Sequence, residues 1–142
     1  MNLSPHFTLE EMTYTSTGFK NIPNDVQLEN LKRLAVALES VRELVGKPVK
    51  INSAFRSPAV NNAVRGATAS LHLEGLAADI TVEGYTPYEL CCLIRDSGIE
   101  YDMLIQEFSR WTHFGIARKG VKANKKDMTI KNGTGYLKGI LE

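Results

Sequence analysis

Leu76-Ala77-Ala78-Asp79-Ile80-Thr81-Val82 is an apolar run with a single carboxylate inside it. Its length and its β-branched end predict a short strand in the core of the protein. A carboxylate on a buried strand is costly unless it is paired or binds a metal. The fold around this strand therefore has to supply Asp79 with a partner.

Working outward, Val49-Lys50-Ile51 alternates and reads as a strand upstream. Met103-Leu104-Ile105-Gln106-Glu107 and Trp111-Thr112-His113-Phe114-Gly115-Ile116 read as two strands joined by a tight connection downstream. From Asp25, the apolar residues Leu28, Leu31, Leu34, Ala35, Leu38, Val41, Leu44 and Val45 recur at spacings of three and four. That is one face of a long amphipathic helix, stopped by Gly46 and Pro48. Thr8-Leu9-Glu10-Glu11 and Thr86-Pro87-Tyr88-Glu89 have capping-box spacing, which predicts a short helix to about Tyr14 and a second one to about Ser97. Ser57-Pro58 opens another short helix with serine as its cap. The segment 119–142 is rich in lysine and glycine, and Met128-Thr129-Ile130 is its one candidate strand. These elements predict an α+β domain, with helices on one side of a small antiparallel sheet.

The chain has 142 residues, enough for one domain (1–142) with a packed core. Seventeen basic and 16 acidic side chains leave a formal net charge of +1, without the basic excess of a nucleic-acid-binding protein. Nothing is long and apolar enough to span a bilayer. Met1 to His6 lacks the basic start and apolar run of a signal peptide, so the expected location is the cytoplasm unless something else carries the protein out. Adjacent Cys91 and Cys92 lie in an apolar helical pattern and read as buried thiols, not a disulfide or a four-sulfur zinc site.

The chain has three histidines. His6 precedes the first helix and reads as a surface residue. His72 lies in a loop just before the strand that carries Asp79, and His113 lies on a late strand. Two imidazoles and a carboxylate are the donor set of a catalytic zinc site, in which a fourth position stays open to water. Spacing alone also allows a hydrogen-bonded loop histidine and an aspartate paired with an arginine.

Ser-x-His-x-x-Gly-x-Ala-x-Asp, spanning Ser70 to Asp79, resembles the signature of the M15 zinc peptidases, which include D-alanyl-D-alanine carboxypeptidases and phage endolysins. Ser53-Ala54-Phe55-Arg56-Ser57-Pro58-Ala59-Val60-Asn61 resembles that family's Ser-Gly-Tyr-Arg-Ser-Pro stretch, and Trp111-Thr112-His113 its Trp-x-His strand. Phe7-Thr8-Leu9-Glu10-Glu11-Met12 resembles the start of small, phage-type members. The likeness runs from about residue 5 to 117, with 118–142 as a C-terminal extension. It implies a hedgehog/DD-peptidase-like fold, Zn2+ as cofactor and peptidoglycan stem peptides as substrate. It also implies His72, Asp79 and His113 as metal ligands and Arg56 as the cation at the substrate and developing oxyanion. Ser53 and Ser70 would buttress the site, and Trp111 is either cleft or core.

A peptidase of this kind needs a carboxylate to move a proton from water to the leaving amine. Many M15 members place it three residues before the last histidine, where this chain has Arg110. Phage-type members instead carry an Ile-x-Glu-Phe stretch, matched here by Ile105-Gln106-Glu107-Phe108. Glu107 faces the His113 side if the intervening turn has three residues, and faces away if it has two. Glu74 and Asp102 are the reserves. The expected protein is a monomeric zinc peptidase, of the endolysin type released from a host cytoplasm. It would cut either an L-alanyl–D-glutamate or a D-alanyl bond. The alternative is a wall-binding module of the same fold that has kept its metal and lost catalysis.

Overall fold

A computed structural model describes residues 1–142. In chain order the elements are β1 (Asn2–Ser4), β2 (Phe7–Thr8), α1 (Leu9–Met12), α2 (Asp25–Val45), β3 (Lys50–Ser53), α3 (Pro58–Ala63), a single 3-10 turn (Leu71–Glu74), β4 (Ala77–Thr81), α4 (Pro87–Asp96), β5 (Met103–Glu107), β6 (Trp111–Gly115), β7 (Lys126–Ile130) and β8 (Leu137–Lys138). The caps behave as the sequence predicts. Thr8 and Thr86 form complete capping boxes, Ser57 caps α3, and Gly46 ends α2 in the left-handed conformation at φ +66°. Asn24 forms a third box with Gln27, which starts α2.

Six strands form one sheet in the order β3-β4-β6-β5-β7-β8. The expected antiparallel sheet is antiparallel at every pair except β5 and β7, which run parallel. The reason lies in the connection. β6 ends with Gly115 beside Met103, at the start of β5, and β7 begins with Lys126 beside that same Met103. The chain crosses over the start of β5 and sets off in the same direction, so no helical crossover is needed.

Strand alternation gives the sheet two different faces. Ala78, Ile80, Leu104 and Phe114 pack with Leu31, Leu34, Leu38 and Val41 of α2 and with Leu90 and Ile94 of α4 in one core of 23 buried residues. Cys91 belongs to this core; burial pushes its thiol up to about 12, so it is inert at neutral pH, while Cys92 is half-buried and free. The opposite face carries Asp79, His113, Ile105 and Glu107.

Residues beyond 118 do not form a loose tail. Ile140 is buried in the core, and two buried polar side chains hold the end of the chain in place. The Thr129 hydroxyl donates to the Gly139 carbonyl and accepts the Leu141 amide, each at 2.8 Å. Gln106 donates to the Leu141 carbonyl and accepts the Ser109 amide. Thr129→Val keeps the shape and leaves the Gly139 and Leu141 groups unpaired, so it should cost about 1–3 kcal/mol. Urea unfolding measures this, and amide exchange at Leu141 should quicken; a loss below about 0.5 kcal/mol would show that the tail is not anchored there.

Candidate metal centre

The strand register brings the site together. Asp79 on β4 pairs directly with His113 on β6, so both side chains leave the same face of adjacent strands. His72 enters from the 3-10 turn, which Ser70 caps by accepting the His72 amide at 3.1 Å. Gly75 closes that turn at φ +76°, and a Cβ there would lie 2.8 Å from the Gln27 carbonyl, so the turn can sit against α2 only with glycine at this position. One ligand atom each from His72, Asp79 and His113 falls within 4.8 Å of the others, and all three residues are buried.

Hydrogen bonding shows which atoms face inward. His72 Nδ1 lies 2.7 Å from the Ala54 carbonyl, which can only accept, so Nδ1 carries the hydrogen. Nε2 is left facing Asp79 Oδ1 at 3.2 Å, and His113 Nδ1 faces the same oxygen at 3.2 Å. Two imidazole nitrogens and a carboxylate oxygen converge at hydrogen-bonding range, an arrangement that ring N–H groups satisfy and that a cation can replace. A divalent cation with nitrogen and oxygen ligands fits there, and zinc suits this donor set. The Ala54 carbonyl is the outer partner that fixes the ring orientation of His72.

Asp79 is ionised. Burial alone would raise its carboxyl, but His72 and His113 outweigh that effect and hold it well below the ordinary carboxylate range. Its second oxygen accepts from Arg56 Nη2 at 3.1 Å. The other guanidinium nitrogens are also engaged: Nε donates to Ser53 Oγ at 3.1 Å and Nη1 to Asn61 Oδ1 at 3.3 Å. Arg56 is thus a fixed cation at the edge of the cleft, with its side chain 13% exposed. Gly66 permits this arrangement, since a Cβ there would sit 2.0 Å from Asn61 Oδ1 and 2.9 Å from Arg56 Nη1.

Three residues, 108–110, separate the paired positions Glu107 and Trp111, so Glu107 shares the face of His113. The turn puts Phe108 and Ser109 at positive φ, offset by hydrogen bonds from the Phe108 amide to Ile130 O, the Ser109 amide to Gln106 and the Arg110 amide to Glu107 O. Glu107 accepts from Trp111 Nε1 at 2.8 Å, and its other oxygen lies 3.8 Å from His113 Nδ1. Burial first, and then the Asp79 charge, raise the Glu107 carboxyl, against the opposing pull of His113 and the Trp111 hydrogen bond. Arg110 is exposed in the turn. The reserves lie elsewhere: Glu74 forms a bidentate pair with Arg118, and Asp102 accepts the Asn124 amide.

These residues line a cleft of about 850 Å³. Arg56, Ser70, His72, Glu107, Trp111 and His113 all border it, whereas Asp79 and Ser53 lie behind them. Sequence reading missed the far wall, made by Lys126, Met128, Ile130 and Tyr136. It also missed Asn61 and the two glycines of close approach, Gly66 and Gly115. Gly115 sits under Leu71, whose Cδ1 would be 2.9 Å from an added Cβ. An unexplained glycine inside a strand was the available signal for Gly115.

The family model for Peptidase M15 matches residues 5–115. The chain belongs to the M15 peptidase family. A search of the curated proteins gives no match. M15 peptidases are zinc-dependent, and the buried His72–Asp79–His113 group fits that ion.

Two outcomes follow for this M15 peptidase. His72→Ala should weaken zinc binding by more than the roughly 10–100-fold typical of losing an outer partner. Unchanged zinc content by atomic absorption would rule His72 out as a ligand. The second concerns the metal-free protein and Glu107, whose folded-state carboxyl is raised above its ordinary 4.5. Below that value both folded and unfolded chains are protonated and there is no penalty. As pH rises through the folded value, the folded state bears a buried charge and loses stability. Glu107→Gln keeps an acceptor for Trp111 and should raise the melting temperature of the metal-free protein at pH 7, with the gain vanishing near pH 4. A gain independent of pH would contradict the assignment.

Proposed function

We propose that this M15 peptidase hydrolyses a peptide bond in peptidoglycan stem peptides as a lysin of the phage or prophage type, working as a monomer on the wall after release from a host cytoplasm. The observation that carries the catalytic reading is the shared face of the cleft, where the His72–Asp79–His113 cluster and the raised carboxyl of Glu107 lie within one side chain of each other. The lysin role is supported by the Ile105-Gln106-Glu107-Phe108 stretch, which resembles phage-type members. The candidate bonds are L-alanyl–D-glutamate and D-alanyl.

Zinc, when bound, supplies acidity to water and polarises a carbonyl. The remaining work falls to the chain's own residues. Glu107 takes a proton from the attacking water and returns it to the leaving amine as the carbon–nitrogen bond breaks, so the products are a free carboxylate and a free amine. A carboxyl raised by burial is suited to both halves of that transfer, because it is a stronger base when ionised and a ready donor when protonated. Trp111 holds one oxygen of Glu107 and leaves the other directed toward His113. Arg56, tied by Ser53 and Asn61, directs fixed positive charge at the developing oxyanion without having to reorganise.

Free-amine release from purified peptidoglycan, measured with zinc-loaded and chelated protein, tests this reading. New amines that disappear on chelation and return with zinc are expected, and mass spectrometry of the fragments names the bond. Glu107→Gln should retain stoichiometric zinc and lose about 10²–10⁴-fold in turnover. Zinc-loaded wild type that binds wall fragments and releases no amine would identify a non-catalytic wall-binding module instead.

A further inference from the structure

β7 carries its polarity the wrong way round for a strand at the surface. On the helix side it places Asp127 and Thr129, which are polar and are satisfied by the Tyr101 hydroxyl and by Gly139 and Leu141. On the cleft side it places Met128 and Ile130, which are apolar, with Lys126 at the strand's start. Tyr101 is fully buried, so its bond to Asp127 fixes the beginning of the strand and, by alternation, directs Lys126 toward the cleft. The Lys126 amide is bonded to the Asp102 carbonyl at 2.9 Å, which anchors the same point from the backbone.

The register sets the scale. Lys126 pairs with Met103, which pairs with Gly115, two residues along β6 from His113. Two strand spacings across and two residues along put the Lys126 and His113 backbones about 12 Å apart. That is the length of roughly three or four extended residues. Between them the floor is Met103, Ile105 and Met128, with no polar side chain. The cleft as a whole is lined by three cations, Arg56, Arg65 and Lys126, against the single carboxylate of Glu107. A chain with a net charge of only +1 has concentrated positive charge here.

We infer that β7 builds a substrate subsite, in which Lys126 pairs with a free carboxylate of the stem peptide a few residues from the scissile bond while Met128 and Met103 cover an aliphatic stretch between. Lys126 is then a specificity-determining residue, and it lies outside the residues 5–115 matched to the family. This rests on the stem-peptide reading of the same cleft. Arg56 serves the reacting centre and Lys126 serves the far end, so a substrate is read at two points.

Trp111 is the chain's only tryptophan and lines the cleft, so its fluorescence reports occupancy independently of turnover. The test titrates zinc-loaded Glu107→Gln protein, with and without Lys126→Ala, using a synthetic stem tetrapeptide with all carboxylates free and the same peptide with each carboxylate in turn converted to amide. With Lys126 present, one amide form should bind about fivefold more weakly than the free acid, and Lys126→Ala should bind the two equally. Lys126→Glu should reverse the preference. Equal binding of acid and amides with Lys126 present, or a preference that survives Lys126→Ala, would overturn the subsite. A preference lost instead in Arg65→Ala would assign it to the opposite wall and equally overturn it. Lys126 is exposed, and an unchanged melting temperature checks that its variants fold. Failure of wild type to release amine while the acid–amide preference is present would sink the peptidase reading and leave the subsite standing.

Discussion

The burial of one carboxylate organises this molecule. Asp79 sits on an inner strand with its side chain 5% exposed, where an unpaired charge would be untenable. Four groups answer that charge: two imidazoles at one oxygen, Arg56 at the other, and the ion that the histidines and carboxylate together are suited to hold. Each of those groups needs its own support. His72 leans on the Ala54 carbonyl, Arg56 leans on Ser53 and Asn61, and His113 is delivered by direct strand pairing. The strand β4 therefore carries core residues on one face and the origin of the site's electrostatics on the other.

Much of this was legible in the sequence, for identifiable reasons. The 3.6-residue period of Leu31, Leu34, Leu38 and Val41 marks α2, because a helix packed on one face leaves that pattern. The capping boxes of Thr8 and Thr86 write the helix starts in side chains. The donor types of His72, Asp79 and His113 pointed to a zinc site and the resemblance strengthened it, but their juxtaposition was not legible locally, since Asp79 and His113, 34 residues apart, meet by strand register. The same limit left the facing of Glu107 open. It turns on whether the connection has two or three residues, and Phe108 and Ser109 give no hint that they adopt positive φ. The partner of His72 is a backbone carbonyl and so has no residue signature. The direction of β7 was hidden as well, because alternation describes a strand's faces and not the direction of its neighbour. The lysine- and glycine-rich segment 119–142 shows little of its anchoring in sequence, because its buried residues are few: Met128, Thr129 and Ile140.

The role proposed for Glu107 and the stability of the fold pull in opposite directions. A carboxyl placed beside Asp79 and shielded from water is disfavoured in the ionised state, and the fold tolerates it through the Trp111 hydrogen bond and proximity to His113. The tight turn beside it stores backbone strain at Phe108 and Ser109. Local rules are broken beside the proposed general base, while the helices and the core behind the sheet obey them.

The division of the sheet into two faces explains how one small domain holds both a core and a cleft. On the helix side, the polar side chains of the inner strands have partners: Thr112 in Pro87 and Cys91, Gln106 and Thr129 in the chain's end, and Asp127 in Tyr101. The opposite side of the same strands presents apolar residues and charges to the cleft. β5 shows the logic within five residues, with Leu104 and Gln106 turned to the core and Met103, Ile105 and Glu107 to the cleft. β7 repeats it and extends the cleft past the residues needed for the metal cluster. The C-terminal segment is bound to the sheet by groups that face away from the cleft. Its cleft-facing residues can therefore vary in chemistry while the strand stays in place, and this is the condition under which one catalytic centre can be fitted to different substrates.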